Sequence, residues 1–205
     1  MHDDAPYPLS KRDQILQAAV AEFQENGYAQ TSMDRITIRA GVSKRTLYKH
    51  FESKENLFRS ISDSMHRQFL DGVDIQYQPG RDIRQQLTDL AWAEGRILMS
   101  PDVMAMARLV ISEVLRNPDL AARTQDEIDL KQVFRDMMRD ATADGQLAVD
   151  DPAEAAEAFV ALIKSSTFWP VMFGQPVVGQ DQMAQVIDSA VETMMCRYAV
   201  GYRRA

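Results

Sequence analysis

The sequence predicts an all-α protein, a three-helix helix-turn-helix module at the N-terminus followed by a larger helical domain. Three observations carry this. Apolar residues recur with a 3.6-residue period in segment after segment, few runs of alternating β-branched residues are present, and the periodic segments open on recognisable cap residues.

Ser10 and Asp13 have capping-box spacing, and Leu16, Ala19, Val20 and Phe23 then fall on one helical face. That first helix stops near Asn26-Gly27. Thr31 with Asp34 repeats the cap and opens a short helix ending at Ala40-Gly41, where glycine supplies the left-handed conformation of a helix end. Ser43 caps a third helix over about 44–50 and Ser53 a fourth beginning at Lys54. The fourth is expected to continue through Met65 and Phe69 as a connector, until Gln78-Pro79-Gly80 breaks it. The next helix carries Trp92, Ile97 and Leu98 and stops at Ser100-Pro101, a cap followed by a first-position proline. A long amphipathic helix runs toward Asp144-Gly145. Asp151-Pro152 opens another, on which Ala155-Phe159-Leu162 and Ala156-Val160-Ile163 are both apolar, so more than one side is buried. In the last helix Met183, Val186, Ile187, Ala190, Val191, Met194, Met195 and Tyr198 keep one stripe for four turns. The expected organisation is a tail (1–9), a helix-turn-helix domain (10–58) and a larger domain (59–205).

Composition limits the function classes. The 205 residues are 45% hydrophobic and 26% charged, the mixture of an ordinary folded domain. One cysteine, Cys196, excludes an internal disulfide framework and reads as a small buried hydrophobe. MHDDAPYPLS lacks the basic and apolar regions of a secretion signal, and no apolar run reaches the ~18 residues of a membrane span. A cytoplasmic protein without membrane association is expected. Neither His2 nor His66 has a metal-ligand neighbour at helical spacing, and there is no phosphate-cradling glycine loop or nucleophile elbow. No enzyme activity, metal or cofactor is therefore expected.

Charge is unevenly spread. The net charge is −7, yet residues 31–59 hold seven cations (Arg35, Arg39, Lys44, Arg45, Lys49, Lys54, Arg59) against three anions, a local net of +4 that leaves −11 elsewhere. A solvated helix face would explain this, and so would a surface that meets a polyanion. Geometry favours the second. Two short helices joined by Gly41-Val42-Ser43 form a helix-turn-helix, whose second helix enters the DNA major groove. Ile36, Ala40, Val42 and Leu47 supply its small core, leaving Lys44, Arg45, Thr46, Tyr48 and Lys49 to face outward. Arginine and lysine bridge guanine O6 and N7, threonine meets a thymine methyl group, and tyrosine bonds phosphate. His50 closes the cluster, as a further DNA-facing group or as a packed or capping one.

The stretch TSMDRITIRAGVSKRTLYKHFESKENLF, residues 31–58, resembles the DNA-binding domain of the TetR family of bacterial transcriptional repressors. The resemblance covers about residues 10–58 and rests on the cap, the AGVS turn, the LYxHF run and the SKExLF entry to helix four. Thr37 departs from it, standing where the family usually has alanine. The resemblance implies an all-helical homodimer, a small-molecule pocket in the larger domain, and release of a palindromic operator in double-stranded DNA when the effector binds. It also implies phosphate contacts for Thr31, Ser43, Tyr48 and Lys54, with Lys44, Arg45, Thr46 and Lys49 nearest the bases. MARLVISEVLRNPDL, residues 106–120, resembles the ligand-binding domain of a TetR subgroup attached to efflux or metabolic operons.

Twelve methionines suit an adaptable apolar pocket, or plain core filling. Candidates for the pocket wall are Trp92, Met99, Met104, Met106, Phe134, Met137, Phe168, Trp169 and Met172. Arg96, Arg108 and Glu113 are candidates for a polar ligand contact, or for surface ion pairs. The two apolar C-terminal helices predict a four-helix dimer interface carrying Phe159, Ile163, Ile187, Val191, Met194, Met195 and Tyr198, with packing inside the monomer as the alternative. The favoured function is a ligand-released repressor. A ligand-independent architectural DNA binder and, last, a small-molecule enzyme are the competing readings.

Overall fold

The computed structural model describes residues 10–61, 63, 75–116 and 131–202. Of these, 10–61, 63 and 108–116 form one compact unit, and 75–107 and 131–202 form another. The first unit is thus not one continuous stretch closing at residue 58, because residues 108–116 of a later helix join it.

In the first unit α1 (Lys11–Asn26) is capped by Ser10, whose Oγ accepts from the Asp13 amide, and ends on Gly27 at φ 77°. α2 (Met33–Ala40) ends on Gly41 in the left-handed conformation, φ 62° and ψ 34°, and α3 (Lys44–His50) is capped by Ser43. α4 covers residues 54–61, with Ser53 Oγ accepting from the Asn56 amide at 3.1 Å. Its expected continuation through Met65 and Phe69 lies outside the described residues. One cap differs from expectation. Ser32, not Thr31, caps α2, because Thr31 is buried and its hydroxyl is directed to the carbonyls of Glu22 and Gly27. Thr37 is buried too, and its hydroxyl bonds the Asp34 carbonyl at 2.6 Å, which accommodates a polar side chain in a tight place. Ile15, Ala19, Phe23, Ile36, Leu47, Phe51, Leu57 and Phe58 are buried, and Phe23, Tyr28 and Phe58 form a ring cluster with centroids 5.1–6.2 Å apart.

The second unit contains α5 (Ile83–Leu98), the first part of α6 (Pro101–Arg116), α7 (Gln132–Ala143), α8 (Pro152–Thr167), the short α9 (Trp169–Met172) and α10 (Gln180–Tyr198). Asp151 caps α8 through the Ala153 and Glu154 amides, as its Asp-Pro start predicts. α10 packs on α5 and α8, and α7 packs on α8. An isolated antiparallel bridge between Leu147 and Ala199, absent from any periodicity signal, fastens the loop after α7 to the end of α10.

The predicted dimer stripe is corrected here. Phe159, Ile163, Ile187, Val191, Met194 and Met195 all belong to the core of the second unit, and Tyr198 packs half-buried against it. The apolar period identified the buried face correctly, but the partner of that face lies in the same chain. Of the pocket candidates, Met104, Phe134 and Met137 are fully within this core, while Trp92, Met99, Phe168 and Met172 pack half-buried against it. Met106 is half-buried on α6. Trp169, the first residue of α9, is 51% exposed, so it is not a wall of an interior pocket.

Candidate nucleic-acid interface

The cations of the first unit have divided roles. Arg35 and Arg39 point back to α1. Their Nε atoms donate to the two oxygens of buried Glu22 at 2.9 and 2.8 Å, Asn26 Nδ2 adds a bond at 3.0 Å, and Arg39 also pairs with Glu25. The Arg35 hydrogen bond foremost, against the effect of burial, holds the Glu22 carboxyl below its usual range.

Lys54 is also turned inward. Its ammonium donates to the carbonyls of Tyr28 at 2.8 Å, Thr31 at 3.0 Å and Ala29 at 3.4 Å, and stands 4.4 Å from the centre of the Tyr28 ring. A lysine has three donor hydrogens, and all three have acceptors here. Thr31 is likewise engaged, its hydroxyl bonded to the Glu22 and Gly27 carbonyls. Both side chains fasten the turn between α1 and α2, where carbonyl oxygens offset a cation at a helix start.

What remains outward is α3. Ser43 is exposed, and its Oγ lies 2.9 Å from Thr46 Oγ1, so these two hydroxyls share a bond at the helix entry. Lys44 is exposed and ion-paired with Asp34 at 2.7 Å, a bond that raises the lysine's pKa. An exposed pair of this kind is weak and readily exchanged for phosphate. Tyr48 is 48% exposed, and His50 is exposed beside the Phe51 ring. Arg45 and Lys49 are exposed and make no hydrogen bond or ion pair with any described residue. Ile38 on α2, which sequence reasoning passed over, is 81% exposed. Its place outside the apolar stripe through Ile36 was the available signal.

In the second unit Arg96 is exposed. Arg108 and Glu113 belong to the first unit instead, where Glu113 is buried, pairs with Arg116 at 3.3 Å and helps push the Tyr28 hydroxyl up to about 12, after burial itself and Glu55. The polar group that the second unit does bury is Glu94, 1% exposed and bonded to Lys164 Nζ at 3.0 Å. Burial pushes its carboxyl up, with Lys164 opposing. No group of three or more potential metal ligands occurs among the described residues, and no described helix is long and apolar enough to cross a membrane.

Comparison with known proteins finds relatives of both units. Residues 15–61 match the profile of the bacterial regulatory proteins of the tetR family, and residues 85–200 match that of the C-terminal domain of AefR-like transcriptional repressors. The transcriptional repressor KstR2 of Mycolicibacterium smegmatis is 27% identical over 97% of this chain and 100% of its own. A TetR family regulator from Pseudomonas syringae pv. tomato is 36% identical, with a TM-score of 0.80 over 95% of this chain and all of that one. The flavonoid-responsive regulator FrrA is 26% identical, with a TM-score of 0.77 over 94% and 98% of the two chains.

Proposed function

From the premise that the chain belongs to the TetR family of bacterial transcriptional regulators, we propose that it is a repressor that binds a palindromic operator as a homodimer and leaves it when a small, mainly apolar effector binds the second unit. The observation that carries the DNA side is the division of cations. Arg35, Arg39 and Lys54 are engaged inside the protein, whereas Arg45 and Lys49 on α3 are uncommitted among the described residues. A cation held by no internal partner gives up little when it meets guanine or phosphate. Thr46 and Tyr48 sit on the same short helix, and Ile38 offers an apolar contact of the kind that suits a thymine methyl group.

One helix of seven residues reads few bases. Two copies read half-sites about 34–36 Å apart, which supports a dimer. The proposed contact uses the outward faces of the C-terminal helices, and the exposure of Leu162, Ser165, Trp169, Ser189, Thr193 and Cys196 supports it. The effector must favour a dimer with misplaced reading helices. Shifting that balance from 99:1 to 1:99 takes about 5.5 kcal/mol of differential binding. The flavonoid response for which one structural neighbour is named supports an aromatic effector.

Gel shift with the DNA upstream of the protein's own gene tests the reading. Specific binding whose log affinity falls linearly with log salt is expected. Arg45→Ala and Lys49→Ala should each weaken it by ~1–3 kcal/mol with the fold retained. Unchanged affinity in both variants removes α3 as the reading helix.

A further inference from the structure

Glu94 occupies a position that the apolar period of α5 assigns to a hydrophobe. It lies in one stripe with Leu87, Leu90, Ala91 and Leu98, all buried. Oε1 accepts from Lys164 at 3.0 Å, whereas Oε2 is buried and has no hydrogen-bond partner. A charged oxygen without a donor in a core is costly, and a strut between α5 and α8 needs only the first oxygen. Lys164 is 24% exposed, and its ammonium also stands 5.6 Å from the Phe168 ring centre, so this pair lies close to the outside of the unit.

The charge balance selects what can complete the site. Glu94 and Lys164 neutralise each other, so a further ammonium would leave an unbalanced positive charge and a carboxylate would face Glu94 itself. A neutral O–H or N–H adds the missing bond and no charge. The neighbours can yield to admit it. Met183, with Cγ and Sδ 3.1 Å from where a β-carbon on Gly95 would stand, is packed at the adjoining position, and Met99 and Met172 border the same core. Thioether chains change rotamer at small cost.

We propose that Glu94 is the polar anchor of the effector site, and that the effector is a neutral, mainly apolar molecule whose hydroxyl or N–H donates to Oε2 while Lys164 holds Oε1. This rests on the reading of the second unit as the effector-binding one. Because Oε2 is closed off before binding, the bond forms only in a rearranged subunit, which gives the ligand the state preference that release from DNA requires.

The test is calorimetric titration of the full-length protein with matched probes: a naphthol and its methyl ether, indole and N-methylindole, decanol and decyl methyl ether, with naphthoate as the anion. In the wild type the donor member of at least one pair should bind about tenfold tighter than its capped partner, and naphthoate more weakly than naphthol. In Glu94→Gln, which keeps the shape, the amide oxygen goes to Lys164 and its NH2 faces the ligand, so the preference should vanish or invert. Equal binding within every pair, or binding of no probe, overturns the proposal. So does a preference that survives Glu94→Gln, which leaves the pair a strut. Should Glu94→Gln fail to fold, the wild-type preference alone decides. Operator binding by the ligand-free protein is measured alongside; its presence with no donor preference sinks this inference alone, and its absence sinks the repressor reading.

Discussion

Glu22 and Glu94 are both buried carboxylates, and their surroundings drive them in opposite directions. Hydrogen bonding by Arg35 and Arg39 lowers Glu22 from the ordinary 4.5. It therefore contributes stability that is complete above that ordinary value and is lost as pH falls through the lowered folded value. Burial raises Glu94, so the folded protein holds that proton more tightly than the unfolded chain, and stability declines as pH rises from the ordinary carboxylate range toward the raised value. In urea titrations at several pH values, Glu22→Gln should cost about 1–3 kcal/mol at neutral pH and shrink the acid-side loss. Glu94→Gln should flatten the decline on the other side. Lys54 and Lys49 form a second contrast. Lys54→Met should lower stability by about 1–3 kcal/mol through its lost carbonyl bonds, with the salt slope of operator binding unchanged. Lys49→Ala should leave stability alone and reduce that slope by about 1. The sequence places these lysines on different helices but does not show that Lys54 is held inside the protein, since a count of charges does not say which carbonyls lie within reach.

At the level of elements, local chemistry was largely legible. Ser10, Ser43, Ser53, Ser100 and Asp151 all cap where short-range spacing places them, because a cap is decided within four residues. The choice of Ser32 over Thr31 was not legible, since it depends on the Glu22 carbonyl nine residues away. The stripe on α10 was visible, but a stripe says only that a face is covered, not by what. Here α5 covers it, at a closeness that Gly95 permits. A β-carbon at that position would meet Met183 at 3.1 Å and Ile187 at 3.2 Å. Gly95→Val should accordingly destabilise the protein by about 2–3 kcal/mol, measured by thermal unfolding, because a branched side chain cannot avoid both neighbours.

For the whole molecule, the proposed dimer contact falls on the faces left uncovered. Leu162 is 36% exposed, Trp169 51% and Phe173, just after α9, 85%, whereas Val191 is 1% exposed. Leu162→Glu and Trp169→Glu should yield folded monomers in sedimentation and abolish operator binding. Val191→Asp should unfold the chain instead, and a folded dimer carrying it would contradict the packing described. These outward faces could not be read from the sequence, because Ser165, Ser189 and Thr193 look like ordinary solvent-facing residues and Leu162 and Trp169 like core until the packing is known. The allotment of cations has one more consequence, for handling the protein. At −7 it should be retained by an anion exchanger, and yet heparin should capture it too, through Arg45 and Lys49. With both residues replaced by alanine, the protein should keep the first behaviour and flow straight through the second resin.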